Sequence, residues 1–149
     1  MSQTNFGGTF SISTTAANAD LTLSGFTGLT WESVPNIGNH GPTGVTQNTP
    51  SFSTWDRNVA LKGKGEANAG DPTVTFLDVV SAGMTLMLAA ADVSEPGSYA
   101  FKVEWPDGSV EYNRGVVTGP ARPKGANEDF KTLEFTLGNS QVPVIVDAT

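Results

Sequence analysis

The sequence predicts a mainly β fold, a two-sheet β-sandwich or barrel of about 7–9 strands with one flanking α-helix over about residues 79–92 and a long loop over about residues 35–56. Three observations predict it. Short stretches alternate apolar and polar residues, 17 glycines and 9 prolines punctuate them, and only one segment carries a helical period. A length of 149 residues suits a single domain spanning 1–149.

Phe10 and Ile12 alternate with Ser11 and Ser13, and Leu21 and Leu23 with Thr22 and Ser24. Both read as half-buried strands, with Ala16-Ala17-Asn18 turning between them. Leu29 to Val34 reads as a third strand. From Pro35 to Asp56 the periodicity stops: the stretch carries Pro35, Pro42 and Pro50 and Gly38, Gly41 and Gly44 in a polar background. A structureless stretch of this length in a compact domain is commonly functional or disordered. Residues 57–77 read as a hairpin, in which Val59 and Leu61 run out, Asn68-Ala69-Gly70-Asp71 turns, and Val74 and Phe76 return inward.

Val80, Met84, Met87, Leu88 and Ala91 then form one stripe at helical spacing, with Asp78 or Ser81 as N-cap and Pro96-Gly97 as stop. The two methionines fit a core stripe better than a binding groove. The next hairpin runs from Tyr99 to Val117 around Pro106-Asp107-Gly108-Ser109. With Asp107-Gly108 as a two-residue loop, Trp105 faces Val110 and Val103 faces Tyr112. Phe101 then faces Arg114, and Glu104 lies opposite Glu111 in an unfavourable like-charge pair. Lys131 to Leu137 and Val142 to Val146 complete the strands.

With 15 acidic and 8 basic residues the formal charge is −7, which disfavours gripping a polyanion and suits a surface that repels one. No cysteine is present, which removes disulfides and thiolate metal sites. The start lacks a basic n-region, the first basic residue being Arg57, and no apolar run approaches the length of a bilayer span. A soluble protein with no membrane anchor, made in the cytoplasm, is expected.

No catalytic, cofactor or metal residues are expected. His40 is the single histidine and has no cysteine to share a metal with. The carboxylate pairs Glu104/Glu111 and Glu128-Asp129 read as surface charge rather than as an acid and a nucleophile. Gly63-Lys64-Gly65 precedes no helix and so is not a phosphate loop. Trp31 and Trp105, on alternating strands, read as core, and Trp55 as an interface residue.

From Val59 onward the order of pieces resembles the tail-tube (major tail) proteins of long non-contractile tailed bacteriophages. A "GxGxxxAGD"-like turn stands at Gly63-Lys64-Gly65-Glu66-Ala67-Asn68-Ala69-Gly70-Asp71. A strand and a short Ala/Leu helix, Met84 to Ala91, follow. A hairpin resembling "xxFPDGxxxxFxGxV" runs from Val103 to Val117, with Trp105 and Tyr112 where that family more often has phenylalanine. The Val34-Pro35-Asn36-Ile37-Gly38 step before the long loop is also similar, and no additional immunoglobulin-like domain is expected after Thr149.

The resemblance implies hexameric rings stacked into a tube that encloses a tape-measure protein and conducts double-stranded DNA without specific binding. It also implies tail-terminator and distal-tail partners and a place in the virion tail. Type VI secretion tubes and contractile-phage tubes share the fold it implies. On this reading Ile37, Val45, Phe52 and Trp55 are candidates for ring stacking, and Glu104, Glu111 and Glu134 for an acidic lumen wall. A monomeric β-sandwich that binds carbohydrate or another ligand is the alternative from a different class.

Overall fold

The computed structural model describes residues 7–56 and 58–147. Twelve strands and two helices occur among them: β1 Thr9–Ser13, α1 Leu23–Thr27, β2 Trp31–Val34, β3 Ile37–His40, β4 Thr46–Gln47, β5 Ser51–Phe52, β6 Leu61–Lys62, β7 Ala67–Asn68, β8 Thr73–Leu77, α2 Ala82–Ala90, β9 Tyr99–Glu104, β10 Val110–Ala121, β11 Thr132–Asn139 and β12 Val144–Val146. An antiparallel 8-stranded sheet runs β2-β1-β9-β10-β11-β8-β3, with β12 joined to β10. β10 spans both halves: its first residues pair with β9 and β12, its later ones with β11. The main core sits between the inner faces of those halves. Phe10, Ile12 and Phe101 come from one, Val74, Phe76, Leu133, Phe135 and Leu137 from the other, and Met84 and Met87 of α2 join them.

The main helix forms within the expected span, but of the expected stripe only Met84, Met87 and Ala91 are buried; Leu88 is exposed and Val80 lies before the helix in solvent. Ser81 is its cap, the hydroxyl accepting from the Met84 N–H at 3.1 Å. Gly83 lets α2 cross β2 closely, since a Cβ there would overlap the Ser33 carbonyl.

Four expectations are corrected. Leu21 to Ser24 is not a strand. Leu23 to Thr27 forms the short helix α1, because Phe26 is the residue that reaches the second apolar cluster, stacked on Tyr112 at 5.1 Å. Two helices therefore flank the sheet rather than one. The stretch 35–56 is not one loop: Asn36 takes a left-handed turn at φ 64°, which Asn tolerates, and Ile37 to His40 then pairs with β8 as a sheet edge. His40 thus belongs to a strand, its ring 5.8 Å from Phe10.

Residues 57–77 do not form a hairpin with one another. β6 and β7 pair back with β5 and β4, and β8 joins β11 and β3. Arg57, the first residue of that expected hairpin, lies outside the described residues.

The fourth correction is one of register. Pro106, with its fixed φ, sets a turn closed by Gly108 N–H to the Trp105 carbonyl at 3.0 Å. Gly108 at φ 94° then adds a residue to the loop. Val110 faces Glu104 and Glu111 faces Val103. A one-residue slip exchanges the two faces of a strand. Glu104 and Glu111 are consequently not neighbours across the ladder, and Arg114 lies opposite Ala100 rather than Phe101.

Both tyrosines hold their protons more tightly than a free phenol. Burial is the larger cause in each, followed by the charge of Glu95 at Tyr99 and of Glu104 at Tyr112. A raised native value favours the neutral form. Their contribution to stability is therefore intact below a pH of about 10 and is lost as pH rises through the raised values. An ultraviolet titration of native protein will give both midpoints above the ordinary value. A midpoint at the free-phenol value for either contradicts this assignment.

Candidate functional site: an exposed arm

Residues 46 to 68 leave the body as a two-stranded ribbon. Thr46 pairs with Asn68 and Gln47 with Ala67 near its base, and Ser51 with Lys62 and Phe52 with Leu61 farther out. Between these pairs the Asn48 N–H donates to the Glu66 carbonyl at 3.0 Å and the Gly63 N–H to the Pro50 carbonyl at 3.0 Å. Pro50 fits because a ribbon edge needs no donor there. At roughly 3.3 Å per residue, the run from Val45 to Trp55 can reach about 30 Å.

No described residue of the ribbon is buried. Its distal half nevertheless carries Phe52, Trp55, Val59 and Leu61, with Trp55 fully in solvent. An isolated two-stranded ribbon is marginal in water, and apolar side chains gathered on one exposed projection mark a contact surface. Lys62 and Lys64 lie beside them, also exposed.

The stacking candidates divide. Phe52 and Trp55 are both exposed in the distal half of the arm, Val45 stands at its base, and Ile37 packs against the main core from β3. Val59 and Leu61 belong with the first two. Their alternation fits a strand and says nothing of whether that strand meets a core or solvent.

The acidic candidates divide as well. Glu104 ends β9 with its carboxylate 4.0 Å from the Lys102 ammonium, which also lies 5.5 Å over the Trp31 ring. Glu134 stands on the outer face of β11, across from Thr75 and Ala121. Glu111 is only 8% exposed, and the Thr43 hydroxyl donates to its carboxylate at 2.7 Å. It lines a cavity of about 570 Å³ with His40, Thr43 and Trp105. The His40 Nδ1 is engaged with the Gly41 carbonyl at 2.6 Å, and Glu104 lies on the opposite face of the sheet from Glu111. The two carboxylates do not converge. Among the described residues no three acidic or histidine side chains gather as a metal site, and no helix is long and apolar enough to cross a membrane.

No family model and no curated protein matches the chain. Solved structures do. A chain of the anti-feeding prophage baseplate superposes with a TM-score of 0.64 at 10% identity, covering 99% of this chain and 99% of that one. A chain of an extracellular contractile injection system, from its extended sheath–tube complex, gives 0.63 at 12% identity over 95% of this chain and 88% of that one. A chain of the anti-feeding prophage tube-terminating cap gives 0.56 at 14% identity over 93% and 88%. This is a tail-type fold. Its structural neighbours belong to the baseplate, the sheath–tube complex and the cap of phage-like injection particles.

Proposed function

We propose that the chain is a structural tail-tube subunit, whose copies close into hexameric rings and stack into a hollow tube. The observation that supports this best is the arm: an uncovered ribbon with four large apolar side chains that the subunit itself cannot bury. A second copy is the partner always present at assembly. A projection that fits a different surface on the next copy makes a head-to-tail contact, which closes as a ring or continues as a filament.

In this reading the tube encloses a tape-measure protein, passes double-stranded DNA without holding it and meets terminator and distal-tail proteins at its ends, within the virion tail. It catalyses nothing. The likeness to chains of contractile systems widens the reading from the long non-contractile tail to tail tubes of either kind. The outer face of β8 and β11 suits the bore, since Thr73, Thr75, Thr132 and Thr136 make it mostly polar, with Leu77 at one end, and Glu134 makes it acidic. Of the three acidic candidates Glu134 stands on that face. Glu104 and Glu111 belong to the other half of the sheet, Glu111 as a buried anchor for Thr43.

Sedimentation velocity over a concentration series tests the assembly. The expected result is a monomer that gives way to large, fast-sedimenting polymers as concentration rises. A single monomeric boundary at every concentration contradicts it.

A further inference from the structure

Helix α2 is unusual for a helix at a surface. Val79 to Ala91 contains no charged residue. Gly83, Met84, Met87 and Ala90 face the core, while Ala82, Thr85, Leu88 and Ala89 face outward. Val80, 92% exposed, stands before the helix and Val93, fully exposed, after it. Outward faces of globular helices normally carry charge, and a helix without any is normally covered. Beyond its C-terminal end lie Asp92 and Glu95, which no basic side chain among the described residues engages.

The sequence of the arm has the opposite charge balance. Residues 45–69 hold three basic residues (Arg57, Lys62, Lys64) against two acidic ones (Asp56, Glu66), whereas the rest of the chain holds five basic against thirteen acidic. Its apolar side chains and the outer face of α2 are exposed together in one subunit, so they do not cover each other there.

We propose that the arm of one copy lies across the uncharged face of α2 on another copy. Phe52, Trp55, Val59 and Leu61 cover Leu88, Ala89 and Val93, and Lys62 and Lys64 meet Asp92 and Glu95. This rests on the tail-tube reading and names the surface that receives the arm. Arm and helix face are different surfaces, so the contact is heterologous and each copy both gives and receives. The charged rim fixes direction and register more than strength.

The cysteine-free sequence allows a direct test. Ser53→Cys and Ala89→Cys both fall on exposed positions, so neither disturbs the core, and neither removes a large apolar side chain of the arm. In concentrated protein treated with a short bismaleimide, a mixture of the two single variants is expected to give covalent dimers at least tenfold above either alone. The double variant is expected to give a ladder. Lys62→Glu with Lys64→Glu should cut that yield, and Asp92→Lys with Glu95→Lys on the receiving copy should restore it. Polymers visible by microscopy without a ladder overturn the docking site and leave the tube reading standing. Absence of polymers from the untreated wild type overturns both.

Discussion

Replacing residues 46–68 with a short glycine–serine link will leave the sheet folded and abolish polymerisation at every concentration. The ribbon contributes no buried residue to either apolar cluster. Its ends are already adjacent, a Cβ on Gly70 lying 3.4 Å from the Gly44 carbonyl oxygen, so a short link spans them without strain. Surface changes away from core, caps and networks usually stay within about 0.5 kcal/mol. The melting temperature of the shortened protein should therefore match that of the parent within a few degrees. A milder version, Phe52→Asp with Trp55→Asp, should raise the concentration needed for assembly at least a hundredfold. Burying each aromatic is worth roughly 1.5–3 kcal/mol, and about 1.4 kcal/mol is a factor of ten. Polymers of the shortened chain at parental concentration would remove the arm from the assembly.

The second large effect lies inside the subunit. Arg114 is 6% exposed and binds two separate pieces of chain at three points. Its Nε donates to Gln141 Oε1 at 3.0 Å, one terminal nitrogen to the Ala17 carbonyl at 3.2 Å and the other to Asp20 at 2.6 Å. Gln141 in turn holds both the N–H and the carbonyl of Leu21 at 2.9 Å. This network sets the entry to α1, which covers Tyr112. Arg114→Ala leaves the Ala17 carbonyl without that partner and loosens the Gln141 link. Hydrogen bonds to charged groups are worth about 1.5–3 kcal/mol each, and their losses overlap. A destabilisation of about 2–4 kcal/mol is expected, a fall of roughly 5–15 °C in melting temperature for a chain of this size. Asp20→Ala should cost about 1 kcal/mol or less, because that side chain is 77% exposed and an exposed partner contributes little. Equal losses from the two substitutions would contradict this account of the network.

How legible these features are in the sequence follows from what fixes each one. Helix α2 is legible because Met84 and Met87 repeat at its period and Ser81 supplies a local cap, both short-range signals. Strands β1, β9 and β11 are legible because each alternates apolar and polar residues, although Ser11 and Ser13 make β1 buried on both faces and Ala100 of β9 belongs to the second cluster. The hairpin register is not fixed by alternation, since Pro106-Asp107-Gly108 accommodates loops that differ by one residue and only the geometry at Gly108 selects among them. That single residue decides whether Arg114 points at the core or into its network. Leu21 and Leu23 imitate a strand over too short a stretch for alternation to exclude one helical turn. The arm was legible as a region of unusual composition and illegible as a ribbon. Its pairs join residues 46–52 to 61–68, and Pro50, Gly63 and Gly65 interrupt the pattern on both sides. Its exposure is a tertiary fact that no local pattern encodes: Val59 and Leu61 look like core residues until their strand is seen to have no core beneath it.

Polymerisation of this chain into a tube is the property on which the proposed function stands. Negative-stain microscopy of the full chain after concentration and prolonged incubation tests it most directly. Hollow tubes of stacked rings with six-fold end views are expected. A field of small single particles at every concentration and time would contradict it.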